Sequence, residues 1–181
     1  MLISIEHKRI DEIGEVIGGA TPSTNRTEFW DGDIAWLTPK DLTGYNSRFI
    51  ERGSRNITQE GLNSCSARLL PKGAVLFSSR APIGYIAIAQ GPLCTNQGFK
   101  SVVPSPEVDP LFLYYLLRHN KVAIENMASG TTFKEVSAAT MRSIEVELPK
   151  AIEDQRKIAL VLDSIDSRIE LNIRINDYLA A

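Results

Sequence analysis

The sequence predicts an α+β protein, in which a globular domain with a mixed sheet spans residues 1–149 and a long coiled-coil helix follows over residues 150–181. Three observations predict this class. Short apolar or alternating segments, separated by turn residues, recur through the first part of the chain and are typical of strands. Asp109-Pro110 is a helix start signal. From Ile152 to Leu179 neither Gly nor Pro interrupts the chain, which predicts one long helix.

The composition is that of an ordinary soluble protein, with 43% hydrophobic and 23% charged residues among 181. Met1 to Arg9 contains no apolar stretch of the length that a signal peptide needs. The longest apolar run, Leu111 to Leu117, is far shorter than the ~20 residues of a membrane span. We therefore expect a cytoplasmic protein that makes no contact with a membrane.

The first third of the chain predicts one strand between irregular segments. Arg9 to Gly18 is a short amphipathic element, and Thr21 to Asn25 has the turn chemistry of a loop. Ile34 to Leu37 is apolar and bounded by turn residues, which predicts a buried strand. Asp41 to Arg68 is polar and broken by glycines, so we expect a variable loop with one helical turn near Gln59 to Leu62.

The middle of the chain predicts a hairpin, a helix and a strand. Ala74 to Ser78 and Gly84 to Ala89 are apolar and joined by a tight link, which predicts a β-hairpin. At Asp109 a carboxylate can accept from free backbone N–H groups, and we expect the helix to run to about Met127. The alternation from Ile144 to Leu148 predicts a half-buried strand.

The C-terminal helix carries a heptad seam whose members are spaced alternately by four and three residues. These members are Ile158, Leu162, Ile165, Ile169, Asn172, Asn176 and Leu179. The two asparagines would fix the register of a helix pair at some cost in stability. A helix of ~42 Å is too long to lie across a domain of this size, which favours a partner helix. Packing of the helix back on its own domain is the alternative.

We find no motif that predicts catalysis, a metal or a cofactor. The sequence lacks a phosphate-binding P-loop, a nucleophile elbow, a zincin motif and a dinucleotide-binding glycine pattern. Cys65 and Cys94 stand alone, so zinc-ligand spacing cannot be assembled locally. Glu6 with Asp11 is a weak candidate for the Mg²⁺ site of a nuclease.

The distribution of charge is compatible with DNA binding although the net charge is −2. Between Arg48 and Lys100 seven basic residues stand against two acidic ones, and this segment could present a positive face to phosphates. Arg can make two hydrogen bonds to guanine, and Asn or Gln can make two to adenine. Side chains of these types fall in one irregular segment: Arg48, Arg52, Arg55, Asn56, Gln59 and Asn63. Any polar loop contains similar residues, so this pattern permits DNA binding without requiring it.

Five segments, in order along the chain, resemble type I restriction-modification specificity subunits. They are GGATPSTNRTEFWDGDIAWLTPKDL (18–42), SSRAPIGYIAI (78–88), TNQGFKSV (95–102), SGTTFKEVS (129–137) and LPKAIEDQRKIALVLDSIDSRIELN (148–172). The resemblance implies a DNA target recognition domain, a conserved spacer helix and no catalytic site. Ala20 stands where the family usually has Gly, and Lys150-Ala151 replaces a Pro-rich lead-in.

The resemblance also implies partners. In the family, a modification subunit methylates adenine and an ATP-driven restriction subunit cleaves DNA. Full-length members have two recognition domains and two spacer helices, whereas this sequence has one of each and no internal repeat. We therefore expect a half-length form whose homodimer, with antiparallel spacer helices, reads two inverted half-sites of double-stranded DNA around a gap that the helix length sets.

Segments shared by members with different targets are poor candidates for base reading, which divides the site residues into two groups. The resemblance assigns to phosphate or scaffold contacts Lys40, Arg80, Lys100, Thr131 and Lys134. It assigns to base edges Arg48, Arg52, Arg55, Asn56 and Arg68. Two other functions stay open: a coiled-coil assembly module without direct DNA reading, and a Mg²⁺-dependent nuclease that uses Glu6.

Overall fold

A computed structural model gives the structure of this protein and describes residues 3–80, 82–130 and 134–180. These residues form mixed sheets followed by one long C-terminal helix, so the predicted α+β class is confirmed. The strands are β1 (Ile5–Arg9), β2 (Gly14–Gly18), β3 (Trp30–Leu37), β4 (Phe49–Ile50), β5 (Arg55–Ile57), β6 (Val75–Phe77), β7 (Ile86–Ala89), β8 (Cys94–Thr95), β9 (Lys100–Pro104) and β10 (Glu145–Pro149). The helices are α1 (Ile10–Ile13), α2 (Gln59–Asn63), α3 (Pro110–His119), α4 (Lys121–Asn126), α5 (Ala138–Ser143) and α6 (Ile152–Ala180).

The strands of the described residues form sheets of five, three and two strands. The five-stranded sheet has the order β2-β9-β6-β7-β4, with β4 parallel to β7 and the other neighbours antiparallel. The three-stranded sheet has the order β5-β3-β8, with β8 parallel to β3. β1 pairs antiparallel with β10, which places the start of the chain beside the strand that leads into α6.

The strand β6 lies at the centre of the fold because hydrophobic clusters cover both of its faces. Successive side chains of a strand point to opposite faces. Val75 and Phe77 belong to the cluster that includes α3, whereas Leu76 belongs to the cluster that includes residues of β3. Each fully buried large apolar side chain contributes roughly 1.5–3 kcal/mol relative to an exposed one. The two clusters together make a rigid support for the loops around the sheet.

Most predicted elements are found at the predicted places. The hairpin is formed by β6 and β7, with Val75 opposite Ile88. The strand predicted at Ile34 belongs to β3, which begins earlier, at Trp30. The helical turn near Gln59 is α2, and the alternating strand is β10.

Some boundaries differ from the prediction. The single element predicted over residues 9–18 is the helical turn α1 followed by β2, because Gly14 begins the pairing with β9. The helix predicted over residues 110–127 is interrupted at Asn120, where α3 ends and α4 begins. The Leu116 carbonyl accepts from both Asn120 N, at 3.1 Å, and Asn120 Nδ2, at 2.8 Å, and side-chain bonding of this kind weakens a helix at asparagine. The predicted variable loop also contains the short strands β4 and β5.

The helix α6 packs on its own domain over its first half only. Its 29 residues extend about 43 Å. The first half docks on β10 and α3, and there Gln155 and Ala159 are buried. Over residues 171–179 every side chain is exposed. Part of the helix therefore packs on its own domain and part leaves it.

The predicted seam lies on a flank of α6, about a quarter turn from the docking face at 100° per residue. Ile158 packs partly against the core. The exposed fractions of the following members are 36% for Leu162, 50% for Ile165, 50% for Ile169 and 76% for Leu179, and Asn172 and Asn176 are also exposed. The seam is thus accessible in the single chain, and its pairing with another helix stays a prediction.

Candidate nucleic-acid interface

Segments that are distant in the sequence meet at one surface of the domain. Ser79 N donates to Gly98 O at 2.7 Å, and Val136 N donates to Ser79 O at 2.9 Å. Pro39 packs so closely on Gly98 that a Cβ there would lie 2.9 Å from the proline Cγ. The surface formed by residues 20–21, 39–40, 79–80, 97–98 and 134–135 is called the junction surface below. Each of its parts lies in one of the segments that resemble the specificity subunits.

A group of three charged side chains joins Arg80 and Glu135 of the junction surface to Lys100 of β9. Lys100 Nζ lies 3.1 Å from Glu135 Oε1 and also donates to Ser79 Oγ at 3.3 Å. Arg80 Nε lies 3.0 Å from Glu135 Oε2. Burial raises the pKa of Glu135, but hydrogen bonds from Lys100 and Arg80 outweigh it and hold that pKa below the ordinary value. Glu135 therefore stays ionised near neutral pH and joins two cations.

The predicted phosphate contacts differ in their access to solvent. The Lys100 side chain is only 12% exposed, whereas that of Arg80 is 50% exposed. Lys40 and Lys134 are exposed. Thr131 lies outside the described residues. Lys100 is thus placed to hold the surface together, and the other three described side chains can reach a ligand.

Asp41 joins the turn that carries Lys40 to the loop that carries Arg52. Its carboxylate accepts from Thr38 N at 2.7 Å and from Ser54 N at 2.8 Å. Burial raises the pKa of Asp41, but these hydrogen bonds outweigh it and lower the pKa below the ordinary value. Asp41 was not among the predicted site residues, although its position three residues after Thr38 is the spacing of a capping box.

Arg55 lies over an aromatic pair. Its guanidinium carbon is 3.6 Å from the centre of the Trp30 ring. The rings of Trp30 and Trp36 are 5.1 Å apart and meet edge to face. Among residues 3–80, 82–130 and 134–180, no carboxylate forms an ion pair with Arg55, which is exposed. Stacking of this kind orders the guanidinium while its N–H groups stay accessible. Asn56 is next to it, half-buried in β5.

The same tryptophans hold the loop before β3. Trp30 Nε1 donates to Ser23 O at 3.1 Å, and Trp36 Nε1 donates to Ala20 O at 2.9 Å. Ala20 N in turn donates to Thr95 O at 3.0 Å. The platform under Arg55 is therefore continuous with the junction surface.

Arg48 does not lie with the other base-edge candidates, and this corrects its assignment. Its side chain is 10% exposed, with Nε 2.7 Å from Asp163 Oδ1 and Nη1 2.7 Å from Glu170 Oε1. Nη2 donates to Ser167 Oγ at 2.9 Å. A guanidinium that two carboxylates of α6 neutralise is not available to a base edge.

Arg68 also lies apart from the junction surface. Its Nη1 pairs with Glu15 of β2. This exposed contact lowers the pKa of Glu15 and raises that of Arg68, chiefly through the hydrogen bond between them. Of the five base-edge candidates, Arg52, Arg55 and Asn56 remain on the side of the molecule that the Asp41 contacts and the tryptophan pair define.

A metal site and the nuclease site that the sequence left open can also be compared with the structure. Among residues 3–80, 82–130 and 134–180, His, Cys, Asp and Glu side chains form no group of three or more that could hold a metal ion. Glu6, the nuclease candidate, lies 3.3 Å from Lys8 Nζ. Burial raises the pKa of the Cys94 thiol to about 12, so this thiol stays protonated near neutral pH. In the same described ranges, no helix is both long and apolar enough to cross a membrane.

The sequence matches known relatives over most of its length. Residues 4–181 match the family described as "Type I restriction modification DNA specificity domain". The chain is 46% identical over 174 residues to the type I restriction enzyme MjaIX specificity subunit of Methanocaldococcus jannaschii, which covers 95% of this chain and 40% of that protein. It is 27% identical over 170 residues to the type I restriction enzyme EcoR124I/EcoR124II specificity subunit of Escherichia coli. This match covers 90% of this chain and 41% of that protein.

The fold is also similar to solved structures. The HsdS subunit from Thermoanaerobacter tengcongensis superimposes with a TM-score of 0.71 at 20% identity, over 94% of this chain and 39% of that one. The type I restriction-modification system S subunit from M. genitalium gives a TM-score of 0.67 at 18% identity, over 93% of this chain and 40% of that one. The chain spans about two fifths of the length of the curated relatives it matches. On the family match and these relatives, the chain belongs to the type I restriction-modification DNA specificity family.

Proposed function

We propose that this chain is a DNA-reading specificity subunit that recognises one half of a bipartite target and contributes no catalytic group. The observation that carries the proposal is the junction surface, where parts of four family-like segments meet beside the Trp30 platform. A surface assembled from distant segments on a rigid sheet is a common way to position binding residues. The similarity to the two named specificity subunits supports the proposal.

The side chains divide into two roles. Lys40, Arg80 and Lys134 are exposed or half-exposed cations at the junction surface and suit phosphate contacts, which fix position without reading sequence. Arg52, Arg55 and Asn56 suit base edges in the major groove. Arg55 is the strongest of these because its stack on Trp30 orders the guanidinium before DNA arrives.

The α6 seam is the proposed dimer contact. Leu162, Ile165 and Ile169 present apolar surface that the single chain leaves exposed. A second copy that packs its own seam antiparallel would bury this surface and place two readers at a fixed separation on double-stranded DNA. The expected target is two inverted half-sites around a gap.

The remaining partners are proposed from the family. Modification subunits that methylate adenine and a restriction subunit that cleaves DNA with ATP would supply the chemistry. Because the proposed ligand is cellular DNA, the proposal also places the protein in the cytoplasm.

Methylation mapping tests the proposal directly. The chain is co-expressed with the modification subunit of the same organism's type I system, and adenine methylation of a random-sequence plasmid library is sequenced. We expect one bipartite motif with inverted halves, which disappears when this chain is omitted. A motif with two different halves would contradict the homodimer, and methylation that is independent of this chain would contradict the reading function.

A coiled-coil assembly module without DNA reading is the second candidate. It is favoured by the apolar side chains that the free end of α6 exposes, which include Leu171, Ile173, Ile175 and Tyr178. Absence of specific DNA binding at about 50–200 mM salt, even with the modification subunit present, would favour this candidate.

A further inference from the structure

The docking face of α6 changes from apolar to acidic along its length. Gln155 and Ala159 are buried against the domain. The next residues on the same face are Asp163, Asp166 and Glu170, at spacings of four, three and four. Each of these carboxylates contacts a group of the globular domain. Apolar packing therefore holds the first turns of the helix, and charged contacts hold the following turns.

Arg48 makes the central contact of this acidic face. Its guanidinium lies 2.7 Å from both Asp163 and Glu170 and donates to Ser167 at 2.9 Å. The Nε–H is not aimed at the Asp163 oxygen, so that contact is Coulombic, whereas Nη1 and Nη2 form hydrogen bonds. One side chain thus spans two turns of α6.

A second contact lies beside the first. Arg118 Nη1 donates to Asp166 Oδ2 at 2.6 Å, and the Tyr115 hydroxyl donates to the same oxygen at 3.1 Å. Burial is the main cause that raises the pKa of Tyr115, so its phenol stays a donor. Both residues belong to α3, whereas Arg48 precedes β4 within the segment that also carries Arg55.

Gln155, Ala159 and the contact between Arg156 and Asp109 hold the first turns of α6, and the contacts of Arg48 and Arg118 hold the turns that follow. A groove of about 330 Å³ lies beside these later contacts, and Ile169 and Ile173 line it together with Tyr114. A partly buried ion pair adds little net stability because desolvation offsets attraction, but it holds a narrow geometry. Such contacts are suited to fixing an angle.

A small change of that angle matters because the helix is long. From Asp163 to Ala180 the axis extends about 26 Å, so a tilt of about 10° moves the end by about 4 to 5 Å. This displacement exceeds the spacing of about 3.4 Å between successive bases. In a dimer joined through α6, the same tilt changes the separation of the two readers.

We infer that Arg48 is a positioning residue that locks the direction of α6 relative to the reader, so that this contact, together with helix length, sets the gap between the half-sites. The inference rests on the proposed dimeric reading function. It also means that the segment proposed to read bases contributes the residue that fixes the spacer helix.

Distance measurement tests the locked direction without DNA. Spin labels are placed on Lys72→Cys and Arg174→Cys, both exposed positions, in a chain with Cys65→Ser, and labelled chains are diluted with unlabelled ones. We expect a narrow distance distribution that broadens clearly in Arg48→Gln. Arg68→Gln is the matched control, because this arginine pairs with Glu15 and not with α6. An unchanged distribution in Arg48→Gln would overturn the inference.

A second variant removes the helix side of the contact. Asp163→Asn combined with Glu170→Gln leaves the reader intact and is expected to broaden the distribution in the same way. It keeps the test decisive if Arg48→Gln fails to fold. Folding of each variant is checked by urea unfolding before labelling.

A target library tests the consequence for DNA. The half-sites are kept constant and the gap is varied one base pair at a time, with methylation by the co-expressed modification subunit as the readout. Wild type should prefer one gap by about tenfold or more, and Arg48→Gln should accept neighbouring gaps with unchanged half-sites. A broadened distance distribution with an unchanged gap preference would overturn the role in gap setting.

Failure of the proposed function gives a different result. If wild type directs no methylation at any gap, the reading function is contradicted, and the distance distribution alone then decides whether Arg48 locks α6.

Discussion

Arg48 and Arg55 stand seven residues apart in one polar segment and have opposite environments. Arg48 is buried between Asp163 and Glu170 of α6. Arg55 lies exposed over Trp30 and forms no ion pair with the described acidic residues. One end of the segment therefore contacts the spacer helix of the same chain, and the other end is exposed and is the end that we propose to contact DNA.

This difference shows that residue type and local sequence do not assign a role to a basic side chain. Both arginines have the same chemistry, and Arg48 directly precedes β4 whereas Arg55 begins β5. What separates them is the partner that the fold brings to each: carboxylates for one, an aromatic ring for the other. A ligand can take the second guanidinium without breaking an existing ion pair.

The largest effect on the free energy of unfolding is expected at Trp30, whose ring supports the exposed Arg55. Trp30 is only 6% exposed, so Trp30→Ala removes a buried ring and should lower the free energy of unfolding by about 3–5 kcal/mol. Urea unfolding followed by circular dichroism measures this. Trp30→Phe is the control, because it keeps an aromatic face under Arg55. Its free energy of unfolding should fall clearly less than that of Trp30→Ala. Equal losses for the two variants would mean that the ring is not the support.

The next largest change in the free energy of unfolding is expected when Arg48 and Arg55 are substituted in turn and compared. Arg48→Gln leaves two carboxylates of α6 without their cation and is expected to lower the free energy of unfolding by about 1–3 kcal/mol, discounted from the fully buried case because both carboxylates are partly exposed. Arg55→Gln loses only its stacking contact, about 0.5–1 kcal/mol. The measurement is again urea unfolding, and a larger loss for Arg55→Gln would reverse the comparison.

For DNA recognition the order of the two arginines should be reversed, with Arg55 having the larger effect on sequence preference. Arg55→Ala is expected to relax the preference at one base position by about 1–3 kcal/mol while other positions keep theirs. Lys134→Ala, the matched phosphate variant, should weaken binding to all sequences alike and reduce the slope of log affinity against log salt by about 1. Competition binding with single-base target variants over a salt series measures both. Identical uniform losses for the two variants would contradict the division of roles.

The sequence predicted what depends on local pattern. The heptad spacing from Ile158 to Leu179 predicted α6, and the apolar segments predicted the hairpin of β6 and β7. The role of Arg48 could not be predicted in this way, since Glu170 lies 122 residues further along the chain. Arg68 is similar, because Glu15 precedes it by 53 residues.

The interruption of the predicted helix at Asn120 shows a different limit. Asparagine is tolerated in helices, and only the bond from its side chain to the Leu116 carbonyl shows why the helix stops there. The same limit applies to the candidate site. The resemblance proposed the basic residues of the shared segments as a group, but the meeting of these segments at Gly98 is a property of the tertiary structure.

Glu135 is partly exposed and paired with two cations, so its environment is intermediate between those of Arg48 and Arg55. Its substitution is expected to change the free energy of unfolding least. It accepts from both Arg80 and Lys100, and its pKa is lowered below the unfolded value by these hydrogen bonds against the opposing effect of burial. A carboxylate with a lowered pKa adds stability that is present above its unfolded pKa and lost as pH falls through its folded pKa. Because Glu135 is about one third exposed, we expect this to be worth less than about 1 kcal/mol.

The measurement is the free energy of unfolding of wild type and Glu135→Gln between about pH 3 and pH 6. Wild type should be the more stable of the two at the upper end, and the difference should shrink as the carboxylate is protonated. In Glu135→Gln, Arg80 loses its acidic partner and becomes as accessible to phosphate as Arg55 is to a base. Binding to DNA of any sequence should therefore strengthen at neutral pH, and unchanged non-specific affinity would show that Arg80 does not contact phosphate.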